Sequence, residues 1–189
     1  MTNNVTIRLY QPKDAERLRD ICEETAWDSY KKDPKKLATV PINFLDYFLE
    51  QEPDHVFVAV NEKDEAVGYI ECNTDYQRFV RTTKKVYFPR LRQIDRSQVG
   101  FEKKFLLALF FIRKWPCHLH INLTAAYQHQ GIGTLLINAL IQKLKAEGFH
   151  QLAICAVQRG SNSDGFYKAY GFKEIFSYGR GLISLGIRF

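Results

Sequence analysis

Hydrophobic and polar residues alternate in several short segments of the chain. This two-residue period, typical of strands with one buried face, appears in residues 5–10, 55–60, 66–73 and 117–124. Between the second and third segments, residues 61–65 have the turn-forming side chains that predict a hairpin. The pattern therefore predicts at least four strands.

Apolar residues at helical spacing lie between these segments. They predict a first helix from residue 12 to residue 25 and a short second helix over residues 41–50. A longer amphipathic helix follows Gly131 and Gly133 and is predicted to end at Gly148. Helices and strands are therefore interspersed, as in a mixed α/β protein.

The C-terminal residues complete this mixed order. Residues 151–157 predict a buried strand, residues 166–169 a short helix, and residues 173–177 and 182–189 two closing strands. Neither a sequence repeat nor a low-complexity linker is present, which predicts one domain spanning residues 1–189. A terminal strand at the edge of the sheet would pair with a second copy of the chain, so a homodimer is one expected arrangement.

Residues 74–116 follow no single period and are interpreted as an insertion. Within them, residues 102–114 are apolar enough for a helix buried on most sides, although a run of this length is also compatible with a strand. The insertion contains eleven Lys and Arg residues against three acidic ones, in a chain whose net charge is +6. Such a patch attracts anions, such as phosphates, an acidic substrate or nucleic acid, unless it is an ordinary solvated surface.

Composition narrows the class of protein. Hydrophobic residues make up 46% of the chain and charged residues 25%, as in globular proteins. The longest apolar run, residues 105–112, is too short to span a membrane, and the first residues lack a signal-sequence pattern, so a cytoplasmic protein without membrane contact is expected. The four cysteines lack metal-ligand or redox spacing, which predicts reduced, mostly buried thiols and no structural metal.

The most informative segment is the loop Tyr127-Gln128-His129-Gln130-Gly131-Ile132-Gly133-Thr134, between a predicted strand and a predicted helix. Its two glycines allow a tight turn in which backbone N–H groups converge, and the helix N-terminus adds partial positive charge. Such a nest binds a pyrophosphate. Neither the Gly-Lys-Ser/Thr ending of a P-loop nor the GxGxxG pattern of a dinucleotide fold is present, which disfavours both classes.

At these residues the sequence resembles the GNAT superfamily of N-acetyltransferases. The family's acetyl-CoA signature, Gln/Arg-x-x-Gly-x-Gly/Ala, is matched by Gln128, Gly131 and Gly133. A second family block, Phe-Tyr-x-x-x-Gly-Phe after the fifth strand, is similar to residues 166–172. Residues 116–123 are similar to a bacterial subgroup akin to the acetyltransferase-like domain of O-GlcNAcase.

The resemblance implies a fold and a cosubstrate. The fold is an α/β arrangement of the α+β kind, with a mostly antiparallel, twisted sheet of six to seven strands, splayed strands four and five, and helices on both faces. Acetyl-CoA is expected in the gap, with its pantetheine arm along strand four and its pyrophosphate on the glycine loop. The residues that the resemblance assigns to acetyl-CoA are Ile121, Asn122, Leu123, Gln128, His129, Gln130, Gly131, Ile132, Gly133, Thr134, Asn162 and Tyr167.

The sequence departs from the family pattern at two places. Gly160 stands where many members have an asparagine, and Asn162 is the expected substitute. The pair His129-Gln130 replaces the commoner Gly-Lys or Gly-Arg, which removes a cation beside the pyrophosphate.

The resemblance also implies a reaction: direct transfer of acetyl from acetyl-CoA to a primary amine of a small molecule or peptide in a ternary complex. A protonated amine is not a nucleophile, so a base is needed, and His118 and His120 are the candidates because imidazole titrates near neutrality. Tyr167 is the candidate acid for the leaving thiolate. Each of the three also has a structural interpretation, as a satisfied strand histidine or a core tyrosine.

Other functions stay open at this point. A domain of this fold can bind acyl-CoA, or serve in an interaction, without catalysis. A covalent route through Cys117 is a minor alternative, and nucleic-acid binding is disfavoured because no recognised reading motif is present. We expect the insertion to form much of the acceptor pocket, and its charge favours an acidic or phosphorylated amine.

Overall fold

A seven-stranded sheet runs through the computed structural model, which describes residues 4–189. Its strands in chain order are β1 (Thr6–Leu9), β2 (Val56–Val60), β3 (Ala66–Asn73), β4 (His118–Leu123), β5 (Gln151–Gln158), β6 (Lys173–Gly179) and β7 (Leu182–Arg188). Across the sheet the order is β1-β2-β3-β4-β5-β7-β6. Only β4 and β5 are parallel, and the other neighbouring strands are antiparallel. The predicted mixed sheet is therefore confirmed.

Ten α-helices connect these strands among the described residues. They are α1 (Ala15–Glu24), α2 (Asp28–Lys31), α3 (Pro34–Leu37), α4 (Val40–Phe44), α5 (Asp46–Gln51), α6 (Tyr76–Thr82), α7 (Phe88–Ile94), α8 (Arg96–Phe111), α9 (Ile132–Ala146) and α10 (Asn162–Tyr170). The predicted helix over residues 41–50 is two short helices, α4 and α5. The insertion is helical, and a π-helical turn, Thr83–Tyr87, joins α6 to α7.

The predicted place of the last strand is wrong. β7 pairs with β5 on one side and with β6 on the other, so it lies inside the sheet. The chain turns back after β6 and inserts β7 between β5 and β6, which leaves β6 at the edge. A homodimer formed through β7 is therefore excluded, because the backbone groups of β7 already have partners on both sides.

Two hydrophobic cores lie on the two faces of the sheet. One contains residues of α1, α5 and the insertion, such as Leu18, Phe48 and Leu109, all nearly fully buried. The other contains the apolar face of α9, including Leu136 and Leu140. Helices therefore cover both faces, as predicted, and each face of β3 and β4 meets a different set of side chains.

Two glutamates, the buried Glu52 and the exposed Glu50, fasten the insertion to the segment before β2. Glu52 is 3% exposed and accepts hydrogen bonds from the Tyr47 hydroxyl at 2.8 Å and from the Thr74 hydroxyl at 2.9 Å. Arg78 of α6 lies 3.0 Å from the same carboxylate, and Arg90 of α7 binds Glu50 in a two-pronged pair. Two of the insertion's cations are therefore used to hold the fold together.

The cysteines agree with the predicted state. Cys22, Cys72 and Cys117 are buried, Cys155 is partly buried, and all four are free thiols. Between residues 4 and 189, none of the helices combines the length and the apolar character needed to cross a membrane.

We predict that the buried carboxyl of Glu102 makes stability depend on pH. The side chain is 2% exposed, and burial raises the pKa of Glu102 to about 8 from an ordinary value of 4.5. Between these values the folded state keeps a proton that the unfolded state has released, so the free energy of unfolding falls as pH rises. Glu102→Gln cannot ionise and should remove this decline, which amounts to about 3 kcal/mol at pH 7.

Urea unfolding at pH 5 and pH 8 measures the effect. Glu62→Gln, in the exposed turn between β2 and β3, is the matched control. Equal pH slopes for the two variants would contradict the prediction.

Candidate active site

The parallel strands β4 and β5 separate almost as soon as they meet. Their pairing consists of the register pair His118–Ala153, with the Ala153 N–H donating to the Cys117 carbonyl at 2.9 Å. On its other side, β4 pairs with β3 along its whole length. A bulge between Ile154 and Val157, with Ala156 at φ +60°, bends β5 away from β4. The predicted splay is confirmed, and the bulge that accompanies it lies in β5.

A cavity of about 710 Å³ occupies this gap and continues over the helical face of the sheet. Residues 154–158 of β5 and Tyr167 of α10 line one end of it, and side chains of α4 and α8 line the other. His118 and His120 lie on the wall of β4 between them. Another hollow of about 730 Å³ lies beside the β2–β3 turn, but neither histidine nor Tyr167 lines it.

Polar side chains form facing pairs on β3 and β4. Cross-strand neighbours are Glu71 with His120 and Asn73 with His118. Next to them, the Asn122 amide donates to the Tyr69 hydroxyl at 2.8 Å. Both carboxyl oxygens of Glu71 are buried and have no hydrogen-bond partner in the described part of the chain. A row of polar groups thus crosses an otherwise apolar face of the sheet.

His118 is the more enclosed of the two histidines. It is 4% exposed, and the rings of Phe79, Phe48 and Phe105 lie 5.1 to 6.4 Å from its own. Burial lowers the pKa of His118 to about 3, so the imidazole is neutral at ordinary pH. Its Nε2 has no hydrogen-bond partner among residues 4–189.

His120 is more accessible, because 36% of its side chain remains exposed to the cavity. Its ring stacks on Phe44 at 5.6 Å, and its Nδ1 lies 3.4 Å from Oε1 of Glu71. The enclosing protein lowers the pKa of His120, and burial raises the pKa of Glu71 well above its usual range. The pair therefore holds a neutral imidazole beside a neutral carboxyl.

Tyr167 lines the same cavity. It is 2% exposed and packs against Phe166 and Phe172 at ring distances of 5.2 and 5.3 Å. Burial raises the pKa of Tyr167, so its hydroxyl stays protonated. The helix that carries it begins at Ser161, whose hydroxyl accepts from the Asp164 N–H at 3.2 Å.

The glycine loop has the conformation that the sequence predicts. Gly131 is at φ +80° and caps α9, and the N–H groups of Thr134 and Leu135 donate to its carbonyl. The N–H groups of Ile132 and Gly133 precede Thr134, the first residue whose N–H donates to the Gly131 carbonyl, so they have no acceptor within the helix. The side chains of Gln128 and Gln130 turn back and donate to the carbonyls of Leu123 and Ala126, so they brace the loop.

The two family blocks touch through Gly133. A Cβ atom added at this position would lie 2.9 Å from Cζ of Phe166, closer than side-chain packing permits. Because α9 starts at the loop and α10 carries Tyr167, this contact fixes the glycine turn relative to the tyrosine. The close approach explains why a glycine, rather than another small residue, occupies this position.

Some of the other residues that the resemblance assigns to acetyl-CoA line the cavity, and others do not. Ile121 and Asn122 line the cavity, whereas the side chain of Leu123 lies beyond its lining. Asn162 is exposed at the first turn of α10, and its neighbours Ser161 and Ser163 line the cavity instead. His129 is exposed at φ +60°, Ile132 is buried, and Thr134 is exposed.

Cys117 does not reach the cavity. It is fully buried in the core beneath α9, on the face of the sheet opposite to His118. A covalent acyl route through this thiol is therefore contradicted.

Sequence reasoning missed two residues of the site. Glu71 was included in a buried strand without regard to its charge, and an ionisable residue in such a strand is itself a signal. Phe44, which stacks on His120, gave no comparable signal because an aromatic residue in an amphipathic helix is most often part of a core.

A family model identifies the family of this chain. The model of the acetyltransferase (GNAT) family matches residues 18–172. No curated protein matches the chain by sequence. Among solved structures, SsHAT has a TM-score of 0.85 and 26% identity, with 98% of both chains covered.

Two further structures share the fold at lower identity. PaiA N-acetyltransferase from Thermoplasma acidophilum, in complex with coenzyme A, has a TM-score of 0.64 and 15% identity over 98% of this chain and 99% of its own. Ard1 from Thermoplasma volcanium has a TM-score of 0.58 and 14% identity over 97% of both chains. The strand order and the splayed strands β4 and β5 thus define the class of proteins with the GNAT fold. The chain belongs to the GNAT acetyltransferase family.

We predict that Gly133→Ala weakens both the fold and coenzyme binding. The added methyl group must displace Phe166 or the start of α9, at a cost of about 1–3 kcal/mol. Either shift also moves the N–H groups of the loop. Thermal unfolding and calorimetric titration with CoA measure the two effects.

Gly100→Ala in α8 is the matched control, because a Cβ there meets no atom within 4 Å. It should be neutral or stabilise the protein by up to about 1 kcal/mol. The same unfolding temperature and CoA affinity in both variants would refute the role given to Gly133.

Proposed function

We propose that the protein is an N-acetyltransferase that transfers acetyl from acetyl-CoA to a primary amine by direct attack in a ternary complex. The observation that supports this proposal best is that His120 and Tyr167 both line the cavity at the gap between β4 and β5. A base and an acid that face one space are what amine acylation requires.

Acetyl-CoA fits the residues around the gap. The turn at Gly131 and the start of α9 supply N–H groups for the pyrophosphate. The free edge of β4 around Ile121 to Leu123 offers backbone groups to the amide bonds of the pantetheine arm. The coenzyme A complex of PaiA, which shares the fold, agrees with this assignment.

His120 is the better candidate for the general base. Both histidines are neutral and can accept a proton, but His118 is enclosed by three phenylalanine rings. His120 is the more exposed to the cavity, and Oε1 of the neutral Glu71 carboxyl lies 3.4 Å from its Nδ1. We propose that His118 forms part of the cavity wall beside His120 and does not act as the base.

The proton balance closes without a covalent enzyme intermediate. His120 takes the proton of the ammonium group, and the freed nitrogen lone pair attacks the thioester carbonyl carbon. The carbon–sulfur bond breaks as the carbonyl re-forms, and the thiolate takes a proton from Tyr167. The second nitrogen proton then restores the tyrosine through solvent, and the proton on His120 is released.

A non-catalytic acyl-CoA-binding or interaction domain of the same fold is the alternative outcome. It is motivated by the resemblance to the acetyltransferase-like domain of bacterial O-GlcNAcase, which stays a prediction. A cytoplasmic location and a homodimer through another surface also stay predictions. Binding of nucleic acid is not expected, and amines are the only acceptors proposed.

We predict that thiol release from acetyl-CoA depends on the amine and on both facing residues. Tyr167→Phe removes the proton donor and His120→Gln the base, and each should lower kcat by about 10²-fold or more. The matched control is His150→Gln, a histidine in the turn before β5 and outside the cavity. Tight CoA binding with no thiol release for any amine would favour the non-catalytic alternative.

We also predict an acid limb of kcat well below pH 6.5. The base works in its unprotonated form, and the surrounding protein lowers the pKa of His120 to about 4. The unprotonated form therefore persists as pH falls, and kcat should stay constant down to about pH 5 before it declines. Initial rates at saturating substrates between pH 4.5 and 8 measure this, and a half-maximal point at or above pH 6.5 would contradict it.

A further inference from the structure

We infer that the acceptor is a primary amine on an aromatic body that bears no anionic group, an inference that rests on the proposed transferase function. The geometry that supports it is the composition of the cavity beyond His120. There, aromatic rings form the walls, unpartnered polar groups form the floor, and the charges of the insertion other than Lys104 lie elsewhere.

The walls of the outer part are aromatic and loosely closed. Trp27, Tyr30 and Phe101 contact one another at ring distances of 5.5 to 6.3 Å, and Phe44 lies 5.9 Å from both Trp27 and Phe101. Trp27 nevertheless remains 57% exposed. An exposed tryptophan among edge-on rings offers apolar area and ring faces to a flat ligand.

The floor of the cavity contains polar atoms that lack partners among the described residues. Asn43 is 7% exposed and lines the cavity, and both its amide nitrogen and its amide oxygen are unpaired. Nε2 of His118, which also lines the cavity, is unpaired as well. Because unpaired buried polar groups cost stability, they indicate a ligand whose polar end binds here. An amine has the donors that these oxygen and nitrogen acceptors require.

The cations of the insertion do not form an anion site in this cavity. Arg78 and Arg90 are paired with Glu52 and Glu50, and the guanidinium of Arg113 lies 4.1 Å above the Phe110 ring. Among the described residues that line the cavity, the only Lys or Arg is Lys104, which is exposed to solvent. A carboxylate or phosphate next to the amine would lose its water among phenylalanine rings. The acidic or phosphorylated acceptor expected from the sequence is therefore disfavoured.

A polyamine is disfavoured for the complementary reason. Within the described residues, the lining of the cavity contains no aspartate or glutamate to receive a second ammonium group. The polar atoms on the floor next to His120 can bind one amine group, and the cavity beyond them is lined by aromatic side chains.

The first experiment compares acceptors that differ by one group. At saturating acetyl-CoA, 2-phenylethylamine should have a kcat/KM at least about tenfold above that of phenylalanine, which adds only a carboxylate, and of ethylamine, which lacks the ring. Phosphoethanolamine and spermidine should also be poorer acceptors. A higher kcat/KM for any of these four would overturn the inference while leaving the transferase function intact.

The second experiment changes the wall on one helix. Phe101→Leu should raise the KM for 2-phenylethylamine by about tenfold and leave the KM for acetyl-CoA unchanged. Phe111→Leu, on the same helix with 49% of the side chain exposed outside the cavity, is the control and should change neither. Equal effects of the two variants would contradict the aromatic site.

Failure of the underlying function would be visible separately. If no amine is acetylated, calorimetric titration of the CoA-saturated protein decides the acceptor class. Binding of 2-phenylethylamine without binding of phosphoethanolamine would support the inference, and the reverse would overturn it.

Discussion

The site depends on the early separation of two parallel strands. Parallel neighbours normally exchange evenly spaced hydrogen bonds along their whole length, but β4 and β5 pair only at His118 and Ala153. The free edge of β4 then faces a gap in which its N–H and C=O groups need other partners. The bulge at Ala156 lets β5 leave β4 while it stays paired with β7 on both sides of the bulge. A ligand that lay along β4 would complete the sheet, and the contact between Gly133 and Phe166 holds the glycine loop next to the helix that carries Tyr167.

A second feature is a polar row placed where the sheet is otherwise apolar. Glu71, His118 and His120 are each surrounded by aromatic or aliphatic groups, and each lacks at least one hydrogen bond within residues 4–189. Every unpaired buried group costs about 1–3 kcal/mol. The fold tolerates this cost because both cores and the Glu52 cluster stabilise the surrounding elements. Buried polar groups in proteins are normally hydrogen-bonded, and exceptions occur at functional sites. Here the unpaired groups indicate which hydrogen bonds a ligand must supply.

Local patterns predicted the elements well, and long-range relations poorly. The strands and the glycine loop follow from alternation and from the need for φ above zero at Gly131, both of which are local. The insertion gave no clear period because its helices are interrupted by the π-helical turn at 83–87 and are buried on several sides. The position of β7 depends on pairing with β5, about thirty residues earlier, which no local signal encodes. The charge of the insertion was visible, but its pairing with Glu50 and Glu52 requires the fold.

In the proposed reaction, the apolar surroundings of His120 act on both groups that exchange the proton. Burial weakens the histidine as a base, because it disfavours the imidazolium. The same surroundings disfavour the ammonium form of a bound amine, so the proton leaves a donor that is destabilised by the same cause. Transfer between two groups whose pKa values fall together needs less driving force than transfer from an amine in water. Glu71 adds an oxygen beside the imidazole, which favours the charged ring only once it has formed. An anionic group on the acceptor would stabilise the ammonium form and raise the pKa of the amine. Apolar walls without anions are therefore what a neutral histidine base requires.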